Sequence, residues 1–288
     1  MSEYRIITDS GCDIEIKTLD EWGVECVDLS YRWEGKDALY TNRSADFGEF
    51  YGAMRKGEVA RTSAVNPEDF KKVFVKALEE GTDILYLGFS SGLSTTVSSG
   101  SLAAKELKEK YPERTIKVID SLCASAGQGL FVYESVRLRD KGASLDENYG
   151  EMLKLVPELD HWFTVDDLVY LKRGGRINAA SAFVATVLNI KPVLHVDDEG
   201  HLINVNKVRG RRSSIRALAD KYSELALDPD NGVYFISHGD CIDDARALEE
   251  MIEKKHGHKA AIITYVGAVI GAHSGPGTLA LFFLGKHR

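Results

Sequence analysis

Residues 84–110 read ILYLGF (84–89), SSGLSTTVSSGS (90–101) and LAAKELKEK (102–110), and this stretch decides the fold. An apolar run breaks into serine and glycine, then resumes as an apolar pattern of helical period. The reading is a strand over Ile84–Phe89, a small-residue loop, and a helix over about 98–110. Free backbone N–H groups and the helix dipole at such a start favour an anion. The same letters contain Gly88-Phe89-Ser90-Ser91-Gly92, which fits the G-x-S-x-G turn of serine hydrolases with Ser90 as nucleophile. Two chemistries stand open here: a loop that holds an acidic group, or one that attacks an ester.

Upstream, Asn66-Pro67-Glu68-Asp69 is a helix start, with an Asn cap, Pro at the first position and acids in the first turn. Phe70, Val73, Phe74, Ala77 and Leu78 then form one buried stripe, which Gly81 ends. Arg5–Ile7 begins a strand that runs into Thr8-Asp9-Ser10, whereas 28–50 lacks a helical period and reads as an irregular insertion. Downstream come a strand at Ile116–Ile119, closing on Asp120-Ser121, and a helix over about 125–141 that stops near Gly142. This order predicts a parallel sheet covered by helices. Its polar loops at 8–13, 90–96 and 120–125 follow strand C-terminal ends, where open α/β sheets bind ligands.

From about Leu159 the texture changes. Short runs at 162–165, 191–196 and 202–205 alternate with turns such as Asp198-Glu199-Gly200. Amphipathic helices are expected at 213–225 and 242–255, with strands at 233–237 and 261–266 flanking the second. The fold class is therefore α/β: an N-terminal parallel-sheet α/β/α domain over 1–159, then a C-terminal α+β domain over 160–288 with a mixed or antiparallel sheet.

The chain has 288 residues, 44% of them apolar, enough for a sizeable core. A formal charge of −8 disfavours nucleic acid and anionic membrane surfaces as partners. Cys12, Cys26, Cys123 and Cys241 are scattered, with no C-x-x-C and no metal-like His spacing, which suits a reducing cytosol and no bound metal. The opening MSEYRIITDSGCD lacks the basic and apolar regions of an export signal, so a cytoplasmic protein is expected. Tyr265–Gly285 is apolar, but His273, Pro276 and several glycines interrupt it. A buried strand and loop are expected there, not a membrane span.

Several residues are candidates for chemistry. Thr62 and Ser63 precede the Asn66 helix start and either cap it or face a ligand. Ser90, Ser91 and Ser94, with Thr95 and Thr96, make a hydroxyl-dense loop. In Leu171–Ile177, LKRGGRI, cations surround a Gly pair; Arg176 there offers a planar fork for carboxylate or phosphate, or the segment is a surface turn. In GAHSGPG (271–277), His273 has neighbours small enough for its ring to reach a ligand. Lys207, Arg209, Arg211, Arg212 and Arg216 form either a solvated face or a docking patch for an acidic partner. The hydrolase reading takes Ser90, Asp240 and His273 in the order Ser…Asp…His. It lacks an HGGG-like oxyanion segment, and with it the largest catalytic contribution.

Read in order, TDSGCD (8–13), Thr62-Ser63 before a helix start, SSGLS (90–94), Asp120-Ser121, YLKRGGRI (170–177), KPVL (191–194) and IGAHSGPG (270–277) resemble the DegV family of bacterial fatty-acid-binding proteins over nearly the whole chain. Each motif alone is weak; seven in order are specific. The loop differs from the usual SSGLSGTY pattern at Thr95 and Val97. The resemblance implies a parallel α/β N-terminal domain and an α+β C-terminal domain that hold one long-chain fatty acid in a buried tunnel. It implies no enzymatic activity and no cofactor, with the carboxylate presented to a separate fatty acid kinase that makes acyl phosphate for phospholipid synthesis. By motif, Thr62 and Ser94 would bind the carboxylate and His273 and Arg176 would complete the head site, with Ser63 and Ser91 supporting the loop. The basic cluster at 207–216 would guide the kinase. A serine ester hydrolase at Ser90 is the alternative.

Overall fold

The computed structural model describes residues 4–177 and 189–288. The first part of the chain runs β1 (Tyr4–Asp9), α1 (Ile16–Glu21), β2 (Val24–Val27), β3 (Ser30–Trp33), β4 (Tyr40–Thr41), α2 (Phe47–Arg55) and β5 (Ala60–Ser63). It continues through α3 (Pro67–Glu79), β6 (Asp83–Gly88), α4 (Thr96–Lys110), β7 (Ile116–Asp120), α5 (Ala126–Asp140) and α6 (Leu145–Leu155). The second part comprises β8 (Leu159–Thr164), α7 (Val169–Arg173), β9 (Ile190–Val196), β10 (Leu202–Arg209) and α8 (Arg211–Leu225). Then follow β11 (Tyr234–His238), α9 (Ile242–His256), β12 (Ile262–Tyr265), α10 (Ala268–Ser274) and β13 (Leu279–Leu284).

The first sheet has the order β2-β1-β6-β7 and is parallel throughout, with Ile6 opposite Leu85 and Leu85 opposite Lys117. Helices cover both faces, so its central strands are apolar on both sides. Ile6, Leu85 and Leu87 enter one core, while Ile7, Ile84 and Tyr86 enter another on the opposite face. The Asn66 side chain accepts from Asp69 N, so the cap is Asn66, and Thr62 and Ser63 do not serve as one. Below it, Phe70 and Phe74 bury against Tyr86.

The second sheet is mixed. Its order is β10-β9-β8-β13-β11-β12, antiparallel everywhere except between β11 and β12. Leu279, Leu281 and Phe283 face the core under α8 and α9, while Ala280 and Phe282 face the opposite way, towards the first sheet. Between the sheets lies α5, buried on nearly every side of its first half. Gly127 and Gly129 permit this: a Cβ on Gly127 would stand 2.2 Å from His161 Nε2, and one on Gly129 2.5 Å from Ile14 Cδ1.

Two expectations need correction, and one helix had no counterpart among them. Residues 28–50 are not irregular; β3 pairs with β4 and β5 in a small antiparallel sheet, and α2 packs beside it through an aromatic cluster of Tyr31, Trp33, Phe50 and Tyr51. His273 does not follow an apolar strand but lies on α10, where Tyr51 Oη donates to Val266 O at 2.6 Å just ahead of the helix. Helix α6 was not foreseen, although Ser144 and Glu147 form a capping box at its start.

Candidate functional site

A cavity of about 530 Å³ opens where the C-terminal ends of the parallel strands meet the mixed sheet. That volume lies within the roughly 300–1,000 Å³ of small-molecule sites. Thr62, Ser63, Ser91, Ser94, Arg176 and His273, the residues expected from sequence at the head site and its loop, all line it. Much of the remaining wall is apolar, including Phe163, Val196, Leu202, Val269, Ile270, Ala280 and Phe282.

The polar residues make separate sets of hydrogen bonds along the cavity. His273 Nε2 and Thr62 Oγ1 are 2.7 Å apart. Arg176 Nε donates to Leu93 O at 3.2 Å, and its Nη1 donates to Gly174 O. Ser94 Oγ accepts from Thr96 N at 3.2 Å and lies 2.9 Å from Thr96 Oγ1, at the N-terminus of α4, whose N-cap Thr95 makes no side-chain cap bond. Thr62 is held on β5 by pairing with Tyr31. Two glycines let the His273 helix and the Arg176 loop close in. A Cβ on Gly271 would stand 2.4 Å from Tyr51 Oη, and one on Gly174 2.1 Å from His273 Nδ1.

Burial, and then the positive Arg176 nearby, lower the His273 pKa to about 4, so the imidazole is neutral at neutral pH. Burial also lowers the Arg176 pKa. No carboxylate among the described residues lies within ion-pair range of Arg176. The site therefore combines a partly desolvated cation, hydroxyl groups and a helix N-terminus, an arrangement suited to an anion.

The Ser90–Asp240–His273 relay is not assembled. Ser90 is fully buried, and its Oγ donates to Gly200 O at 2.9 Å. Asp240 is paired with Arg55, and His273 Nε2 faces Thr62. Among the described non-glycine residues the left-handed backbone falls at Asp13, Leu122, Ser125, Asn189 and Asp240, so Ser90 lacks the strained turn of a nucleophile elbow.

Sequence reasoning missed the cavity's supporting layer. Asp9 is buried and accepts from Gly11 N, Tyr86 Oη and Phe89 N, holding β1 and β6 together at their ends. Burial raises its pKa against those bonds. Asp13 accepts from Ser125 Oγ at 2.6 Å and from Asn42 Nδ2, and burial raises its pKa to about 7. Ser125 lies 2.9 Å from Ser237, so the cluster joins both sheets beside the cavity. His161 lines the cavity as a neutral ring, its pKa lowered by burial, and accepts from Ala124 N. The acids of TDSGCD were a usable signal; Ser125, His161 and Ser237 had no motif to mark them.

The basic cluster is divided. Lys207 and Arg209 are exposed on β10, and Arg212 and Arg216 are exposed on α8. Arg211 is instead partly buried and bound to Asp244 at 2.9 Å, with Asp166 at 3.7 Å, so it belongs to the fold. Among the described residues no group of His, Cys, Asp and Glu could hold a metal ion, and no helix is long and apolar enough to cross a membrane.

A family described as an uncharacterised protein family, DegV, matches residues 3–286. A DegV domain-containing protein of Clostridium perfringens is 40% identical, over 99% of this chain and 98% of its own. Among solved structures, a fatty-acid-binding DegV family protein from Thermus thermophilus superposes with a TM-score of 0.88 at 32% identity, covering 99% of this chain and 100% of its own. A stearic acid-binding protein from Eubacterium ventriosum also gives 0.88, at 25% identity and 98% coverage of each chain.

Proposed function

Because this chain belongs to the DegV family, we propose that its cavity holds one long-chain fatty acid, with the carboxylate among Thr62, Ser94, His273 and Arg176. The supporting observation is that Thr62, Ser94, His273 and Arg176 all line one cavity with a largely apolar wall. A carboxylate there would supply the counter-charge that Arg176 lacks among the described residues. If His273 Nε2–H donates to Thr62, the Thr62 proton is left to point at the carboxylate; the opposite tautomer would consume it. In the first tautomer His273 holds Thr62 with its hydroxyl proton free for the ligand.

The tail supplies most of the affinity. A 16-carbon acid buries roughly 14 methylenes at ~0.8 kcal/mol each, about 11 kcal/mol before entropy costs. The head bonds, at ~1–3 kcal/mol each, set orientation. The test is organic extraction of the purified protein followed by mass spectrometry, with about one acyl chain per protein expected. Protein that is reproducibly lipid-free and fails to take up added fatty acid overturns the reading.

In this reading the chain is a cytoplasmic carrier with no catalytic activity and no cofactor. It presents the carboxylate to a fatty acid kinase that forms acyl phosphate for phospholipid synthesis. The exposed Lys207, Arg209, Arg212 and Arg216 would guide an acidic surface of that kinase, chiefly by speeding association. Reversing Arg209 and Arg212 to Glu should slow phosphorylation in a salt-dependent way and spare fatty acid affinity. Unchanged rates and salt dependence would remove the docking role.

A further inference from the structure

Ser90 matches a nucleophile motif, yet its polar atoms are committed to backbone groups. Its Oγ donates to Gly200 O at 2.9 Å and accepts from Gly92 N at 3.1 Å. Its carbonyl accepts from Leu93 N and Ser94 N, each at 3.1 Å, and its N–H donates to Cys123 O at 2.9 Å. The Ser91–Ser94 turn is therefore folded around this one residue, with the Gly92 amide held by the side chain and the Leu93 and Ser94 amides by the backbone carbonyl. Ser94, at the end of that turn, lines the cavity, as do Ser91 and Thr95.

Gly200 comes from the other sheet, at the tip of the turn between β9 and β10. Asp197 braces that turn, its Oδ1 accepting from Glu199 N at 3.1 Å and His201 N at 2.8 Å. Contact between turn and loop leaves no room for a methyl group on either side. A Cβ on Gly92 would stand 2.7 Å from Gly200 O, and one on Gly200, whose φ is +77°, would stand 2.2 Å from Ser90 Oγ. Val196 and Leu202, paired across the same hairpin, both line the cavity. The hairpin that supplies part of the apolar wall is thus the one that touches the head loop.

A hydroxyl has one proton. With that proton on Gly200 O, the Ser90 lone pairs are fixed towards Gly92 N; without Gly200 the hydroxyl is free to rotate and the loop loses its brace. We propose that Ser90 is a positioning residue for the ligand carboxylate, fixing the aim of Ser94 only while the Gly200 carbonyl is seated on its hydroxyl. This rests on the carrier reading above. A displacement of the hairpin then loosens head loop and apolar wall together.

The test uses the full chain loaded with palmitate labelled with ¹³C at the carboxyl or at the terminal methyl carbon, read by NMR. Ser94→Ala sets the reference by moving the carboxyl resonance. Ser90→Ala should move it in the same direction, leave the methyl resonance in place, and speed palmitate release about fivefold or more. Gly200→Ala, on the opposite side of the contact, should move the carboxyl resonance likewise. Should Ser90→Ala fail to fold, Ser90→Cys keeps a weak donor and acceptor at the same place and should give a smaller shift. A wild-type carboxyl resonance in the folded Ser90 variant and in Gly200→Ala, with Ser94→Ala shifted, overturns this inference alone. If palmitate does not bind, or Ser94→Ala leaves the resonance in place, the head-site reading falls and takes this inference with it.

Discussion

His273 Nε2 stands 2.7 Å from Thr62 Oγ1, so α10 and β5, separated by 211 positions in sequence, meet in one hydrogen bond inside the cavity. The bond joins the small antiparallel sheet to the last helix.

Replacing Thr62 with Val keeps the shape and removes the hydroxyl. Loss of one charge-assisted bond, ~1–3 kcal/mol, should weaken fatty acid binding roughly 5- to 150-fold. Displacement of a fluorescent fatty acid measures it, and an unchanged affinity would take Thr62 out of the head site. His273→Ala should show part of the same loss.

His273 also makes a pH prediction. Its folded pKa of about 4 lies below the ordinary 6.5, so the unfolded chain binds this proton more readily between those values. Stability linked to His273 is complete above about pH 6.5 and is lost as pH falls towards 4. Denaturant unfolding of wild type and His273→Gln across that window should show a shallower decline in the variant. Parallel curves would mean that the ring is not held neutral.

Asp160 has the opposite sign. It is fully buried, accepts from Trp162 Nε1 at 3.0 Å, and has its pKa raised to about 6, chiefly by burial. A raised carboxyl favours the folded state at low pH, and that contribution is lost as pH rises from about 4 through 6. Asp160→Asn should therefore gain stability relative to wild type at pH 7.5 and little at pH 4. A uniform effect at both pH values would count against it.

Gly127→Ala sets two effects against each other. Alanine is favoured over glycine by up to ~1 kcal/mol inside a helix, and by less at Gly127, which lies in the first turn of α5. The added Cβ, however, would meet His161 Nε2 at 2.2 Å and Phe282 Cδ1 at 2.7 Å. Overpacking of this kind costs ~1–3 kcal/mol, so a net loss of melting temperature is expected.

Fluorophosphonate probes should leave Ser90 unlabelled, because its hydroxyl is buried and bonded to Gly200 O. Stoichiometric labelling at Ser90, together with ester turnover lost in Ser90→Ala, would instead support a hydrolase.

Much of the first sheet was legible in the sequence because its signals are local. Asn66, Pro67 and the Phe70–Leu78 stripe mark α3 within a dozen residues, and Ile84–Phe89 is apolar on both faces because helices cover both. The segment 28–50 was opaque because β3 is only four residues long and finds its partners at Tyr40–Thr41 and Ala60–Ser63. The α10 segment, AVIGAHS, has β-branched and small residues that argue weakly for a helix; packing against Tyr51 and β5 decides it. The cavity residues could be named from motifs, but their adjacency could not be read from spacing. Ser125, Ser237 and His161 become polar neighbours of the cavity only when α5 is clamped between the sheets.

That clamped helix bears on how the chain comes into being. Leu130 and Phe131 of α5 share one core with Phe163, Phe235 and Phe282, which are synthesised later. During translation, a nascent chain emerging only as far as α6 would display this apolar helix face uncovered, with β8, β11 and β13 still to come. The core that α5 enters is complete only after β13 has emerged.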